Sequence, residues 1–259
     1  MAALFWLLAT AHAATTTDLD AALSAYNAAA HAPLPALSAD QKATLLAGDV
    51  VTLVEHAPTS QRWRVVGMAA SPLPMTQLWM ACVDPDASLE PRLSQARLED
   101  LGPGHYTWYG LLDLPSPFSD RHWALEIWNN TQLATQTHNR AWEHPWALRD
   151  DVLPLAREHV AAQRVSGVDP ALFDAAVALP SNDGGWAVFA VGDDLSVVVH
   201  HADTQLGGVF PDRAVARYVE ESMGGLLGTV LSQAAGMPGH YTTSHPPILG
   251  GDNQPLPPF

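Results

Sequence analysis

Residues 186–211 read Trp186-Ala187-Val188-Phe189-Ala190-Val191-Gly192-Asp193-Asp194-Leu195-Ser196-Val197-Val198-Val199-His200-His201-Ala202-Asp203-Thr204-Gln205-Leu206-Gly207-Gly208-Val209-Phe210-Pro211. Trp186–Val191 and Leu195–His201 are β-branched and aromatic, and Gly192-Asp193-Asp194 between them is a hairpin signal. After Gly207-Gly208, Pro211 suits the first turn of a helix. Val215, Val219, Met223, Leu226, Val230 and Ala234 then recur at helical spacing. Gly236 and Pro238 predict the stop. Residues 186–236 are therefore expected to form two antiparallel strands running into one long amphipathic helix.

On either side of this stretch, the chain alternates strands with short helices. Leu19, Leu23 and Tyr26 have helical spacing, ended by Pro33 and Pro35. Ser38-Ala39-Asp40-Gln41 has the form of a capping box, and Gly48 closes the short helix it opens. Val50–Glu55 and Trp63–Ala69 read as strands, and Met75–Val83 as a helix stopped by Asp84-Pro85. Residues 94–99 and 105–112 are strands joined by the turn Pro103-Gly104. His122–Trp128 is a further strand, Asn129-Asn130 a turn, and Leu133–Arg140 its expected hairpin partner. Residues 142–181 read as a helical insertion, because Val152, Leu155, His159 and Ala162 keep helical spacing and Pro170 opens a second short helix. Asn182-Asp183-Gly184-Gly185 reads as a turn. This order defines an α+β fold with a mostly antiparallel sheet, covered by the only long helix available.

Several segments now resemble START domains of the helix-grip (SRPBCC) superfamily. Pro115 through Trp123, with Asp120-Arg121, is similar to their Asp-Arg approach to a central strand. Asp203 followed by Gly207-Gly208-Val209-Phe210-Pro211 resembles their Gly-Gly-x-x-Pro approach to the last helix. Gly48-Asp49-Val50-Val51 resembles the opening strand of bacterial members, and Met75–Val83 stands where their first-strand helix follows. The resemblance spans residues 45–140 and 182–236. It implies a curved antiparallel sheet gripping a C-terminal helix around an apolar cavity that holds a hydrophobic, lipid-like small molecule. Some members of the superfamily are cyclases or hydrolases. The 142–181 stretch and the Pro-rich tail depart from the family pattern, and either one would cover or narrow the cavity mouth.

Composition bounds the partners. Apolar residues make up 47% of the 259, and charged residues 15%, a balance that folds into a core. A formal net charge of −15 repels phosphate backbones, so no nucleic-acid partner is expected. No other stretch reaches the length of a transmembrane helix. The apolar residues 1–13 end in Ala11-His12-Ala13, a small-x-small pattern, so they are read as a signal peptide and the protein as periplasmic or secreted. The resulting division is a signal peptide at 1–13, a helical segment at 14–44, a START-like domain at 45–238 and a Pro-rich tail at 239–259, read as a loop or an arm laid on the surface. No protein partner is indicated.

The lone Cys82 lies in an apolar run and reads as a buried small hydrophobe. His200 and His201 are adjacent on a strand, so they point to opposite faces and cannot share one ion. One is expected to face solvent and one to be packed. His138 and His144 match no zinc spacing, and Glu126 reads as a solvated strand residue. No HExxH or GxSxG motif and no phosphate loop occurs, so no catalytic residue, metal or cofactor is expected. Trp79, Trp108, Arg121, Trp123, Leu125, Trp186, Val199, Met223 and Leu227 are the expected ligand-binding residues. An aromatic-walled apolar cavity suits hydrophobic ligands. Arg121 is on the expected inward face of its strand, although in START-like proteins an arginine here resembles a structural ion-pair member. The alternative is an enzyme in the same cavity, with Arg121, His200 or Tyr109 polarising a carbonyl. Gly224, Gly225 and Gly228 inside the terminal helix are read either as close packing on the sheet or as a helix that flexes to admit ligand.

Overall fold

The computed structural model describes residues 14–57, 62–86, 92–208 and 211–259. The segment 1–13 read as a signal peptide lies outside the described residues, as do Val209 and Phe210 of the Gly-Gly-x-x-Pro segment. The strands are β1 (Val51–His56), β2 (Trp63–Ser71), β3 (Leu93–Gly102), β4 (His105–Leu112), β5 (Arg121–Trp128), β6 (Ala141–Leu148), β7 (Val177–Ala178), β8 (Ser181–Val191) and β9 (Leu195–Gln205). The helices are α1 (Thr16–Asn27), α2 (Ala39–Leu46), α3 (Met75–Val83), α4 (Thr131–Gln136), α5 (Leu153–Ala161), α6 (Pro170–Ala175) and α7 (Asp212–His240). The strands form one curved nine-stranded sheet in the order β1-β2-β9-β8-β6-β5-β4-β3, with β7 running parallel to β5. Among the described residues no helix is long and apolar enough to cross a membrane.

The β8–β9 hairpin and α7 are the predicted unit. Val191 pairs with Leu195 across the turn, and Ser181 with Gln205 at the far end. Pro211 is the N-cap of α7, and Val215, Met223, Leu227, Val230 and Ala234 are buried along it. The valine, methionine and leucine side chains each contribute about 1.5–3 kcal/mol of burial. The helix crosses the sheet over Gly67 of β2, where an added Cβ would lie 2.2 Å from Met223 Cγ. Only glycine permits that approach.

Period-two alternation splits the central strands between two layers. Val65, Ala69, Trp186, Val188 and Val198 pack with α3 and α7. Val66, Met68, Ala187, Phe189, Val197 and Val199 pack on the opposite face with Leu19, Leu23 and Tyr26 of α1. The sheet is therefore covered on both sides. The capping box of α1, Thr15 with Asp18, and that of α2, Ser38 with Gln41, start the helices of this outer layer.

The structure corrects four local expectations. Residues 133–140 do not form a strand. Asn130 Oδ1 accepts the Leu133 N–H at 3.1 Å and opens α4, and His138 and Asn139 turn the chain at positive φ into β6. The partner of β5 is thus Ala141–Leu148, the first part of the stretch read as helical insertion, and the helical residues follow it. Asn182–Gly185 are inside β8 and are no turn. An added Cβ at Gly184 would meet the His201 carbonyl oxygen at 2.4 Å, so glycine marks crowding between strands here. Finally, α7 runs past Gly236 and through Pro238 to His240, because Met237 and Tyr241 are buried against the tail. Tyr241 Oη donates to the Leu256 carbonyl at 2.8 Å and accepts the Ile248 N–H at 3.0 Å.

Candidate functional site

Between the sheet, α7 and the tail lies a cavity of about 830 Å³. Its wall follows from strand parity. On β5 the odd residues Trp123, Leu125 and Ile127 face it, and on β9 the even residues His200, Ala202 and Thr204 do. Trp108 of β4, Trp146 of β6, Trp186 of β8, and Val219 and Leu226 of α7 extend the apolar lining. The tail closes one side through His245–Leu249. It is therefore not an arm laid on the surface: Ile248 is buried, and Trp79 Nε1 donates to the Leu249 carbonyl at 2.8 Å.

A polar network interrupts this wall. Asn129 Oδ1 accepts from His144 Nδ1 at 2.6 Å, which puts the ring proton on Nδ1. His144 Nε2 then accepts the Tyr106 hydroxyl at 2.9 Å. Burial pushes the His144 imidazole down to about 3, and the nearby Arg97 guanidinium acts in the same direction. Asn129 Nδ2 donates to the Gly250 carbonyl at 3.0 Å and to Asn253 Oδ1 at 2.8 Å, which ties the network to the tail. His200 stands edge-on to Trp186, with ring centroids 4.4 Å apart. Its Nδ1 is buried without a hydrogen-bond partner among the described residues, and burial lowers its pKa to about 4. His144 and His200 are thus neutral near pH 7.

The nine expected residues divide. Trp108, Trp123, Leu125 and Trp186 face the cavity. Trp79 is buried behind it, packed against Trp142 and His144. Met223 and Leu227 pack on Gly67, while Val219 and Leu226 are the residues of α7 that face the cavity. Val199 is on the opposite face with the α1 layer, because one residue of shift along a strand reverses the side. Arg121 is turned away from the cavity: its Nε donates to the Leu206 carbonyl at 2.7 Å and its Nη1 to the Ser119 carbonyl at 2.6 Å, anchoring the segment before α7. Tyr109 is turned away from the cavity as well, packed with Ala156 and Val160 of α5 and Phe173 of α6, with its hydroxyl 3.3 Å from His122 Nδ1. Of the expected carbonyl-polarising set only His200 is at the cavity.

Other side chains also differ from expectation. Of the adjacent histidines, His201 is the packed one, buried on the face opposite His200, which lines the cavity, and burial with the nearby Arg64 charge holds His201 well below the usual histidine range. Glu126 is paired on the outer face with His105 at 2.7 Å and with Arg149. Cys82 is buried as expected, and burial pushes its thiol up. Sequence reading missed Asn129, Tyr106 and His144. The one local signal was the inward parity of His144 with Trp146, and that needed β6 to be recognised as a strand.

No family model matches the sequence, and no curated protein matches it. Solved structures do match in fold. The STAR-related lipid transfer protein of Xanthomonas axonopodis is 15% identical with a TM-score of 0.51, over 72% of this chain and 93% of that one. Human STARD10 is 9% identical with a TM-score of 0.54, over 82% of this chain and 84% of that one. Human StAR-related lipid transfer protein 5 is 11% identical with a TM-score of 0.52, over 73% of this chain and 82% of that one. The chain therefore has the START, or helix-grip, fold.

Proposed function

We propose that the protein binds a hydrophobic small molecule, lipid-like in character, inside the cavity. The observation that carries this reading is an aromatic-walled cavity of about 830 Å³ held between sheet, helix and tail. Such a volume is within the range of small-molecule sites, and burying apolar ligand surface there is favourable by about 25 cal/mol per Å². The solved structures of similar fold that carry lipid-transfer names support the same reading. The polar network sets the ligand's orientation. An apolar chain lies along Trp108, Trp123, Leu125 and Trp186, and a polar end group reaches Tyr106, His144 or His200. The test is organic extraction of the purified protein followed by mass spectrometry, with native mass spectrometry against fatty acids, phospholipids and sterols. A stoichiometric apolar adduct is expected. Empty protein that also takes up nothing from the panel would sink the reading.

One observation favours a second reading. The lining is not purely apolar, because Tyr106, His144 and His200 all face the same space. Neutral imidazoles beside a phenol can move a proton, as a cyclase- or hydrolase-type enzyme requires. Incubation with ester, thioester and poly-β-carbonyl substrates tests this. Turnover lost in His200→Asn supports it, and no turnover of any of them removes it.

A further inference from the structure

At the rim of the cavity, where the tail meets the end of α7, three side chains converge apart from the aromatic wall and the Asn129–His144–Tyr106 network, and two of them, Asp84 and His245, also border the cavity. Asp84 follows α3, His240 ends α7, and His245 is in the tail. One ligand atom from each is within 4.8 Å of the others. His240 Nε2 is 2.7 Å from Asp84 Oδ2, and His245 Nε2 is 3.5 Å from the same oxygen. Asp86 Oδ2 also lies 3.5 Å from His245 Nε2.

The tautomer of His245 is what makes this arrangement unusual. Its Nδ1 is 2.7 Å from the Pro246 carbonyl oxygen, which can only accept, so Nδ1 carries the ring proton. In the neutral ring Nε2 therefore presents a lone pair. That nitrogen is buried without a hydrogen-bond partner among the described residues, in a side chain only 8% exposed, and it points at two carboxylates. A lone pair facing carboxylate oxygens is repulsive, and a proton or a metal ion between them removes the repulsion. A backbone carbonyl on the far ring nitrogen is the usual support of a metal-ligating histidine. The Asp84 carboxylate is held as well: its Oδ1 accepts the Asp86 N–H at 2.9 Å, which leaves Oδ2 for the two histidines.

We propose that Asp84, His240 and His245 bind a divalent transition-metal ion of the zinc class. Two imidazoles and a carboxylate are borderline ligands of the kind that zinc takes, with a fourth position for Asp86 or water. The edge of a tetrahedral zinc site is about 3.3 Å, so the 3.5 Å pair already fits. The 2.7 Å pair opens slightly when the ion replaces the proton between Asp84 and His240, and the half-exposed His240 side chain leaves room for that. The ion would fasten the end of α7 and the start of the tail to the segment after α3, 156 positions away in sequence. This inference does not depend on what the cavity holds.

The experiment uses the full chain without a histidine tag, stripped with EDTA and titrated with Zn²⁺ by calorimetry, with bound metal measured by mass spectrometry. One equivalent is expected. His245→Ala and His240→Ala should each weaken binding by more than the roughly 10–100-fold that outer-shell partners cost. His138→Ala, an exposed histidine elsewhere, should leave binding unchanged. Co²⁺ substitution should give the visible absorption of a tetrahedral site, and Zn²⁺ should protect the segment after His240 from proteolysis. Circular dichroism of each variant separates lost binding from lost fold, and His240→Ala, at a position 45% exposed, keeps the test open if another variant misfolds. No stoichiometric binding, binding that survives both ligand variants, or binding that falls equally in His138→Ala overturns the proposal.

Discussion

The Tyr26 hydroxyl of α1 donates to Glu143 Oε1 of β6 at 2.9 Å, joining residues 117 positions apart. Glu143 is fully buried, and it also accepts from His31 N at 2.7 Å, Ala32 N at 3.2 Å and Asn130 Nδ2 at 2.7 Å. One carboxylate thus fastens the N-terminal helix, the loop after it and the start of α4 to the sheet. A buried charge is tolerated only with such a set of donors. Burial, followed by the Glu143 charge, drives the Tyr26 phenol well above its ordinary value, so it remains a donor at any working pH.

Tyr26→Phe should therefore cost about 1.5–3 kcal/mol, the worth of a hydrogen bond to a charged group. Glu143→Ala should cost more, because four donors lose their acceptor. Urea unfolding followed by far-UV circular dichroism measures both. A Tyr26→Phe midpoint equal to wild type would show that the carboxylate has found another donor.

The three glycines of α7 carry a separate expectation. An added Cβ at Gly224, Gly225 or Gly228 would meet nothing within 4 Å, so close packing does not explain them. Replacing each with alanine should stabilise the protein by about 1 kcal/mol. If α7 flexes to admit ligand, the triple variant should also exchange a bound fluorescent lipid more slowly. Stopped-flow displacement reads the second effect and thermal unfolding the first.

Cavity volume can be removed without touching its polar network. Leu226 of α7 faces the cavity and is half-buried. Leu226→Trp should lower affinity for a lipid-like ligand by about tenfold or more while leaving the fold intact, since the added ring occupies ligand space. Unchanged affinity in a folded variant would place the ligand elsewhere.

Acid should destabilise the protein before its carboxylates titrate. His144 at about 3, His200 at about 4 and His201 well below the ordinary value are all lowered from 6.5. Their folded-state pKa values lie below the unfolded ones, so the unfolded chain binds more protons between pH 6.5 and pH 4. The stability they contribute is fully present above pH 6.5 and is lost as pH falls toward 4, by about 1.4 kcal/mol per pH unit for each histidine. Urea midpoints from pH 8 to pH 4 check this. His200→Gln should flatten the slope, and an unchanged slope would mean that His200 is protonated in the folded state.

Elements whose signals are local were legible in the residues alone. The β8–β9 hairpin is in its Gly-Asp-Asp turn, the start of α7 in Pro211, and the cap of α2 in Ser38, since each depends on residues within one turn or strand. Together with the Asp120-Arg121 and Gly207-Gly208 segments, these elements were enough to reach the helix-grip fold. Tertiary structure decided the rest, because the deciding contacts join distant positions. Pro238 continues α7 only because Met237 and Tyr241 are buried by the tail. Val199 faces α1 and His200 the cavity because register with β2 and β8 sets parity, and no local spacing does. His144 enters the cavity only once Ala141–Leu148 is paired between β5 and β8. The meeting of Asp84 with His240 and His245, 156 positions apart for the first pair, exists in no window of sequence at all.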